Sequence, residues 1–289
     1  MSESGTSTKT VKVVIAGING RMGRTGAHAV FSNPDFELVG AFGSASASYV
    51  GADVRSILGV SDSANAGILV SNDFSESVAR CKPDVLLDVT RAEVAVANAK
   101  RALEQGIRPV IGTSGISAES LKELSDLSAK LKIGAMLVPN FSVGAVLMME
   151  FARQAACIFQ NVEVVEMHHT KKVDAPSGTA MHTLQMMSES GSNFNPQIVK
   201  EKELMPGARG ARNDANIRVH SLRLPGLISH QEVLFGSDGE LLKVTHDSFN
   251  TSCFAQGILL ALKAVCDLDH LVVGLDGILM KSVVPLGAK

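Results

Sequence analysis

The sequence predicts a parallel α/β domain followed by an α+β domain whose open sheet is mainly antiparallel. Three observations carry this. Val11–Ala16 is a continuous apolar run, followed at once by Gly17-Ile-Asn-Gly20-Arg-Met-Gly23 and a helical pattern to about Phe31. From there to Pro139, short apolar runs alternate with helical patterns, as in a parallel sheet with crossover helices. From Ile217 to His246 the pattern becomes strand after strand, with no helix between. The 289 residues are enough for two domains of ordinary size, and 45% hydrophobic content supplies their cores.

Taken in order, Met1–Thr10 is polar and lacks the apolar centre of a signal peptide, so it reads as an unstructured tail. Val11–Ala16 is apolar on both faces, which suits a central parallel strand. The spacing G-x-x-G-x-x-G lets backbone approach a pyrophosphate resting on a helix N-terminus. Glycines also make ordinary tight turns; the strand before and the helix after are what specify a Rossmann-type dinucleotide-binding domain here. Gly17, Ile18, Asn19, Gly20, Arg21, Met22 and Gly23 are therefore candidate cofactor residues. Glu37–Phe42 reads as the second strand, and it ends in Gly43-Ser-Ala-Ser-Ala-Ser48, where an acid for the ribose hydroxyls normally stands. Ile68–Val70 is a short strand and Ser75–Cys81 a short helix.

Val85–Val89 is a further buried strand, ending in Asp88-Val-Thr-Arg91. Doubly wound sheets bind ligands at strand carboxyl ends, which places Thr90 and Arg91 at the cofactor. Helix Ala92–Gln105, strand Pro109–Ile111, the turn Gly112-Thr-Ser-Gly115, helix Ala118–Lys130 and strand Ala135–Val138 complete this half. Pro139-Asn-Phe-Ser-Val-Gly144 has the proline and glycine of an interdomain elbow. The first domain is thus 1–139 and the second 140–249. The second opens with helix Ala145–Ile158, strand Asn161–Val165 and, after a polar loop, helix Ala180–Ser188. Met205–Gly210 reads as a surface loop. Strands Ile217–Leu224, Ser229–Phe235 and Leu241–His246 follow, with a hairpin turn at Gly236–Gly239, then helix Phe254–Val265 and a closing segment Leu271–Leu279.

Composition narrows the function. A net charge of −2 suggests neither a nucleic-acid surface nor a polybasic membrane patch. No apolar run reaches the ~18–20 residues of a membrane span. Cys81, Cys157, Cys253 and Cys266 show no C-x-x-C spacing and read as free thiols in a reducing cytoplasm.

The chemistry concentrates in the polar loop Glu166-Met-His-His-Thr-Lys-Lys-Val-Asp-Ala-Pro-Ser-Gly-Thr-Ala180. Ser177, Gly178 and Thr179 would form the first turn of a helix, whose free N–H groups and dipole suit an anion. Lys171 and Lys172 add positive charge. Adjacent histidines on a strand point to opposite faces, which is poor geometry for one metal, so no metal is expected.

This loop resembles the signature of the dihydrodipicolinate reductase family, Glu-x-His-His-x-x-Lys-x-Asp-Ala-Pro-Ser-Gly-Thr-Ala, at every fixed position. The likeness extends from about Val11 to Leu279: Asp88-Val-Thr-Arg91, Gly112–Gly115, Asn140–Gly144, Arg223–Gly226 and His230–Gly236 all resemble family segments. Two departures stand out. Ala92 replaces a usual proline, and Asn250-Thr251 stands where an arginine is frequent.

The resemblance implies hydride reduction of a cyclic imine or enamine dicarboxylate by NADPH or NADH, giving tetrahydrodipicolinate for lysine and diaminopimelate biosynthesis. It implies that Lys172 is the catalytic acid, His168 a proton donor or acceptor, and His169, Gly178 and Thr179 substrate contacts. Gly112, Thr113 and Ser114 would lie beside the nicotinamide, and Pro139, Asn140 and Phe141 at the crossing between domains. It further implies a homotetramer formed through the second domain's sheet, a tail 250–289 that returns to the first domain, and closure about the connecting strands. Gly43 in place of the ribose acid, with Arg21 nearby and Ser44, Ser46 and Ser48 following, points to NADPH used at least as well as NADH. The competing reading is a non-catalytic dinucleotide-binding regulator, which leaves the grouping of His168, His169 and Lys172 unexplained. Another two-domain dehydrogenase working through a thioester would need a cysteine in a candidate loop, and there is none.

Overall fold

The computed structural model describes residues 10–44, 46–60, 67–191 and 193–282. The polar start that reads as a tail lies, up to residue 9, outside the described residues. The chain divides into two compact units, Met1–Ser142 with Phe254–Lys289, and Val143–Cys253.

In the first unit the elements alternate: β1 (Val11–Ala16), α1 (Arg21–Phe31), β2 (Phe36–Phe42), α2 (Val54–Leu58), β3 (Val70–Ser71), α3 (Phe74–Cys81), β4 (Val85–Asp88), α4 (Ala92–Glu104), β5 (Arg108–Ile111), α5 (Ala118–Leu131) and β6 (Ala135–Leu137). Val13, Val14, Ile15, Leu86 and Leu87 are fully buried, because helices cover both faces of the sheet. One face carries Val14 and Leu86 against Phe74, Val78 and Ala102 of α3 and α4. On the other, Gly26 of α1 lies so close that an added Cβ would sit 2.6 Å from Leu87 Cδ2.

In the second unit α6 (Val143–Ala156) leads to β7 (Asn161–His168), α7 (Gly178–Ser190), β8 (Ala211–Arg212), β9 (Arg218–Arg223), β10 (Ser229–Ser237) and β11 (Glu240–Ser248). The chain then re-enters the first unit as α8 (Ala255–Ala264), β12 (Leu271–Val273) and α9 (Asp276–Ser282). β12 pairs in parallel with β6, which completes a seven-stranded parallel sheet in the order β12-β6-β5-β4-β1-β2-β3. The order reverses at β1, whose neighbours are β2 and β4, so the topological switch point lies at their carboxyl ends.

The second sheet has the order β11-β10-β7-β9-β8 and is mixed. Its pairings are antiparallel except β7 with β9, which is parallel. The sequence pattern predicts a mainly antiparallel sheet, as found; the parallel pairing arises because β9 is reached from β7 through α7, a crossover that returns the chain in the same direction. One face, with Val162, Val164, Val233 and Phe235, is buried; on it Gln231 donates to Thr183 Oγ1 of α7 at 2.8 Å and lies 3.4 Å from Met148 Sδ of α6. The opposite face is polar around Glu163 and carries exposed Leu222 and Leu241.

Candidate active site

In the first unit the switch point gathers three loops. Gly17 has φ +83°, and a Cβ there would meet Thr90 Cγ2 at 3.2 Å, so glycine allows the two loops to touch. An added Cβ at Gly23 would lie 2.1 Å from Gly17 O, so α1 packs directly on the turn. Gly20 is the N-cap of α1 without a side-chain cap, leaving the first-turn N–H groups of Arg21, Met22 and Gly23 to face a ligand. Arg24 Nη2 donates to Asn19 Oδ1 at 2.6 Å and stiffens the turn. Ile18 is fully buried, so only its backbone can serve a ligand.

Asp88, at the end of β4, is fully buried and organises the second loop. It accepts from Thr90 N at 2.9 Å, Thr90 Oγ1 at 2.5 Å and Asn98 Nδ2 at 2.8 Å. Burial pushes its carboxyl above the usual range, and these hydrogen bonds only partly oppose it. Thr113 Oγ1 donates to Thr90 O at 2.7 Å, which ties the third loop to the second. A Cβ at Gly112 would sit 2.5 Å from buried Phe141, and Asn140 Oδ1 accepts from Ser142 N at 2.9 Å. Gly17, Thr90, Gly112, Thr113 and Phe141 are thus linked into one rim, while Arg21, Arg91, Ser114 and Pro139 stand exposed along it. This set of close backbone approaches and open N–H groups fits a dinucleotide.

In the second unit β7 runs on to His168, three residues further than the apolar pattern indicates. His168 therefore sits on the strand's buried face, in register with Arg223, and only the residues after it form the loop. His168 Nδ1 lies 2.5 Å from Glu166 Oε2. Glu166 is fully buried and receives Arg223 twice, Nη1 at 3.1 Å and Nη2 at 2.8 Å. Burial raises the Glu166 carboxyl, but hydrogen bonds from Arg223, Ser221 and His168 outweigh it, and the net shift is downward. Burial lowers the His168 imidazole more than the Glu166 carboxylate raises it.

The loop turns back at once, with Lys172 N donating to His169 O at 3.1 Å. Lys172 Nζ binds both carboxylate oxygens of exposed Asp174, at 2.8 and 2.9 Å. Arg223 Nη2 also donates to Asp174 O at 2.8 Å. His169 Nδ1 is buried with no hydrogen-bond partner among the described residues. Ser177 caps α7 by accepting from Ala180 N at 3.2 Å, and Gly178 and Thr179 form the first turn, as the sequence suggests. Among the described residues, no group of three His, Cys, Asp or Glu side chains could hold a metal.

The sequence reading assigned no role to Asp88, Glu166, Asp174 or Arg223. For Glu166 a signal existed: on an alternating strand it falls on the same face as Val164 and His168, a buried position.

A parallel sheet with a glycine turn at its switch point, joined to a second unit bearing a histidine–lysine loop, defines a two-domain oxidoreductase that uses a nicotinamide dinucleotide. The fold is shared, at 15% identity and a TM-score of 0.64, with an amine dehydrogenase from Mycobacterium smegmatis. The family is narrower. Residues 11–141 match the model of the dihydrodipicolinate reductase N-terminus, and residues 144–279 that of its C-terminus. The 4-hydroxy-tetrahydrodipicolinate reductase of Bacillus velezensis is 45% identical over 94% of this chain and 99% of its own. That of Bacillus subtilis is 44% identical over the same shares. A dipicolinate-bound dihydrodipicolinate reductase from a Paenisporosarcina species superposes with a TM-score of 0.83 at 39% identity, covering 93% of this chain and 99% of that one. The chain belongs to the dihydrodipicolinate reductase family.

Proposed function

We propose that the chain reduces dihydrodipicolinate, formed from 4-hydroxy-tetrahydrodipicolinate, to tetrahydrodipicolinate in lysine and diaminopimelate biosynthesis, acting in the cytoplasm as a homotetramer. The observation that carries this is the run Glu166–Ala180, which meets every fixed position of the family signature and folds as strand, basic loop and capped helix. The nicotinamide cofactor, when bound, supplies the hydride; the proton that completes the reduction comes from the protein. Gly17–Gly23, Thr90, Arg91, Gly112–Ser114 and Pro139–Phe141 hold the cofactor.

The N-terminus of α7, with Gly178 and Thr179, binds a substrate carboxylate through backbone N–H groups. His169, with its unpartnered buried Nδ1, contacts the substrate. Lys172 exchanges Asp174 for the substrate, balances the negative charge that hydride addition creates and donates the proton. His168 gives or takes a proton alongside it.

NADPH is used at least as well as NADH. Gly43, at the end of β2, offers no carboxylate to repel a 2′-phosphate. A Cβ there would sit 2.7 Å from the Tyr49 hydroxyl, so an acid could not take its place without displacing that ring. Exposed Arg21, Ser44 and Ser46 offer donors at the same end of the sheet. The whole reading is tested by mixing purified protein with NADPH and enzymatically made dihydrodipicolinate and following absorbance of the reduced nicotinamide. Substrate-dependent oxidation is the expected result. Cofactor binding without turnover would sink it in favour of a regulator.

A further inference from the structure

We infer that Glu166, clamped by Arg223, is a positioning residue that holds His168 with its hydrogen on Nδ1 and leaves Nε2 as the nitrogen that exchanges a proton. This rests on the proposed role of His168 in the reaction. The chain of contacts begins with an anomaly of patterning. The buried face of β7 carries Val162 and Val164, then Glu166, which is fully buried. A carboxylate at such a position is costly unless it is paired and hydrogen-bonded. Arg223 meets that need with a two-pronged contact from the adjacent strand β9. An ion pair serving only the fold would be complete at that point. Instead Glu166 Oε2 also takes His168 Nδ1 at 2.5 Å.

The consequence for the ring is fixed by bonding capacity. An ionised carboxylate only accepts, so the nitrogen facing it must carry hydrogen, whether the imidazole is neutral or charged. The neutral ring then has its lone pair on Nε2, and the charged ring has its second N–H there. Proton exchange is confined to one atom with one direction. The carboxylate also favours the imidazolium, against the burial that opposes it. Arg223 reaches further. Its Nη2 also binds the carbonyl of Asp174, whose carboxylate holds Lys172 Nζ. The same guanidinium therefore sets the position of His168 through Glu166 and of Lys172 through Asp174. Leu224 N, the next residue on, donates to His168 O at 3.0 Å and fixes the backbone of the pair.

The test begins on the unmodified protein. Nitrogen NMR of 15N-histidine-labelled protein, with His168 assigned through His168→Gln, should show hydrogen on Nδ1 and none on Nε2 in the neutral form. A ring with hydrogen on Nε2 overturns the proposal, and this needs no variant at the carboxylate. Glu166→Gln keeps the shape and removes the charge. It should lower kcat roughly 10- to 1000-fold, somewhat less than the ~10²–10⁴-fold loss of an acid–base group itself, with substrate KM changed far less. It should also move the His168 limb of the pH profile to lower pH. Glu166→Asp should restore part of that limb.

In the His168→Gln background, Glu166→Gln should have little further effect on kcat. If Glu166→Gln lowers only the melting temperature, with kcat, pH limb and ring tautomer as in the parent, Glu166 is a structural ion pair and the proposal fails. If His168→Gln keeps parental kcat, it is the role of His168 that fails; the NMR result then still decides whether Glu166 sets the tautomer.

Discussion

At the scale of single residues, substitution should separate the proton-transfer roles proposed for Lys172 and His168 from the substrate contact proposed for His169. Lys172 is the proposed acid, and one such group is typically worth ~10²–10⁴-fold. Lys172→Ala should lower kcat by that order and leave NADPH affinity nearly unchanged, since its hydrogen-bond partners, Asp174 and His169, lie in its own loop. His168→Ala should act in the same way, whereas His169→Ala should mainly raise KM. Steady-state kinetics with cofactor titration checks all three, and near-parental kcat in Lys172→Ala would remove it from the mechanism. The proposed cofactor choice turns on one residue. Arg21 opens α1 and is exposed, and a guanidinium suits a phosphate. Arg21→Ala should lower kcat/KM for NADPH and leave that for NADH almost unaltered. A clear NADH preference in the parent, unchanged in Arg21→Ala, would show that Arg21 simply faces solvent.

At the scale of elements, the loops at the carboxyl ends of β1 and β4 depend on one buried carboxyl. Asp88 accepts three hydrogen bonds from Thr90 and Asn98, so Asp88→Ala leaves those donors without their acceptor. That should cost about 1–3 kcal/mol of stability and weaken cofactor binding by loosening Thr90. Asp88→Asn behaves differently, because Asn98 can turn its amide to meet a new donor. The sign of the pH effect follows from the raised pKa of Asp88. The folded state keeps this proton to higher pH than the unfolded chain, whose carboxyl titrates near ~3.9. Stability therefore falls as pH rises from that value through the folded pKa, and is constant above it. Asp88→Asn lacks this loss, so its melting temperature relative to the parent should climb across the window. A difference independent of pH would rule out a raised pKa at Asp88.

Much at this scale was legible beforehand. Val11–Ala16, the glycine turn and α1 follow from periodicity and glycine spacing alone, because a strand buried on both faces leaves no ambiguity of pattern. The end of β7 was legible only by carrying its alternation past Val165: Glu166 and His168 are polar at buried positions, so an apolar pattern stops short of them. The clasp of Asp88 on Asn98 was not legible either, since it spans ten residues and appears only once β4 and α4 are packed.

At the scale of the whole molecule, the alternation of strand and helix up to Pro139 and the strand run after Ile217 made both architectures readable. The parallel pairing of β7 with β9 was not, because local pattern says nothing about strand direction. Assembly is the remaining large-scale property. The sheet of the second unit is packed on one face by α6 and α7, and its other face presents Leu222 and Leu241, 36% and 58% exposed. Around them lie Glu163 with His220 and Arg209, already paired at 2.8 and 2.7 Å, so the face is apolar patches within satisfied polar groups. That combination suits an interface between identical copies, where each apolar contact recurs through symmetry. The parent should therefore run in light scattering at four times the 30.4 kDa of one chain. Leu222→Glu combined with Leu241→Glu would place repeated like charges in the interface, where unpaired carboxylates are costly. The double variant should scatter as a dimer or monomer while its circular dichroism matches the parent, since both side chains point away from the core. A tetramer that survives both charges would mean that copies meet elsewhere, and a monomeric parent would remove the proposed assembly altogether.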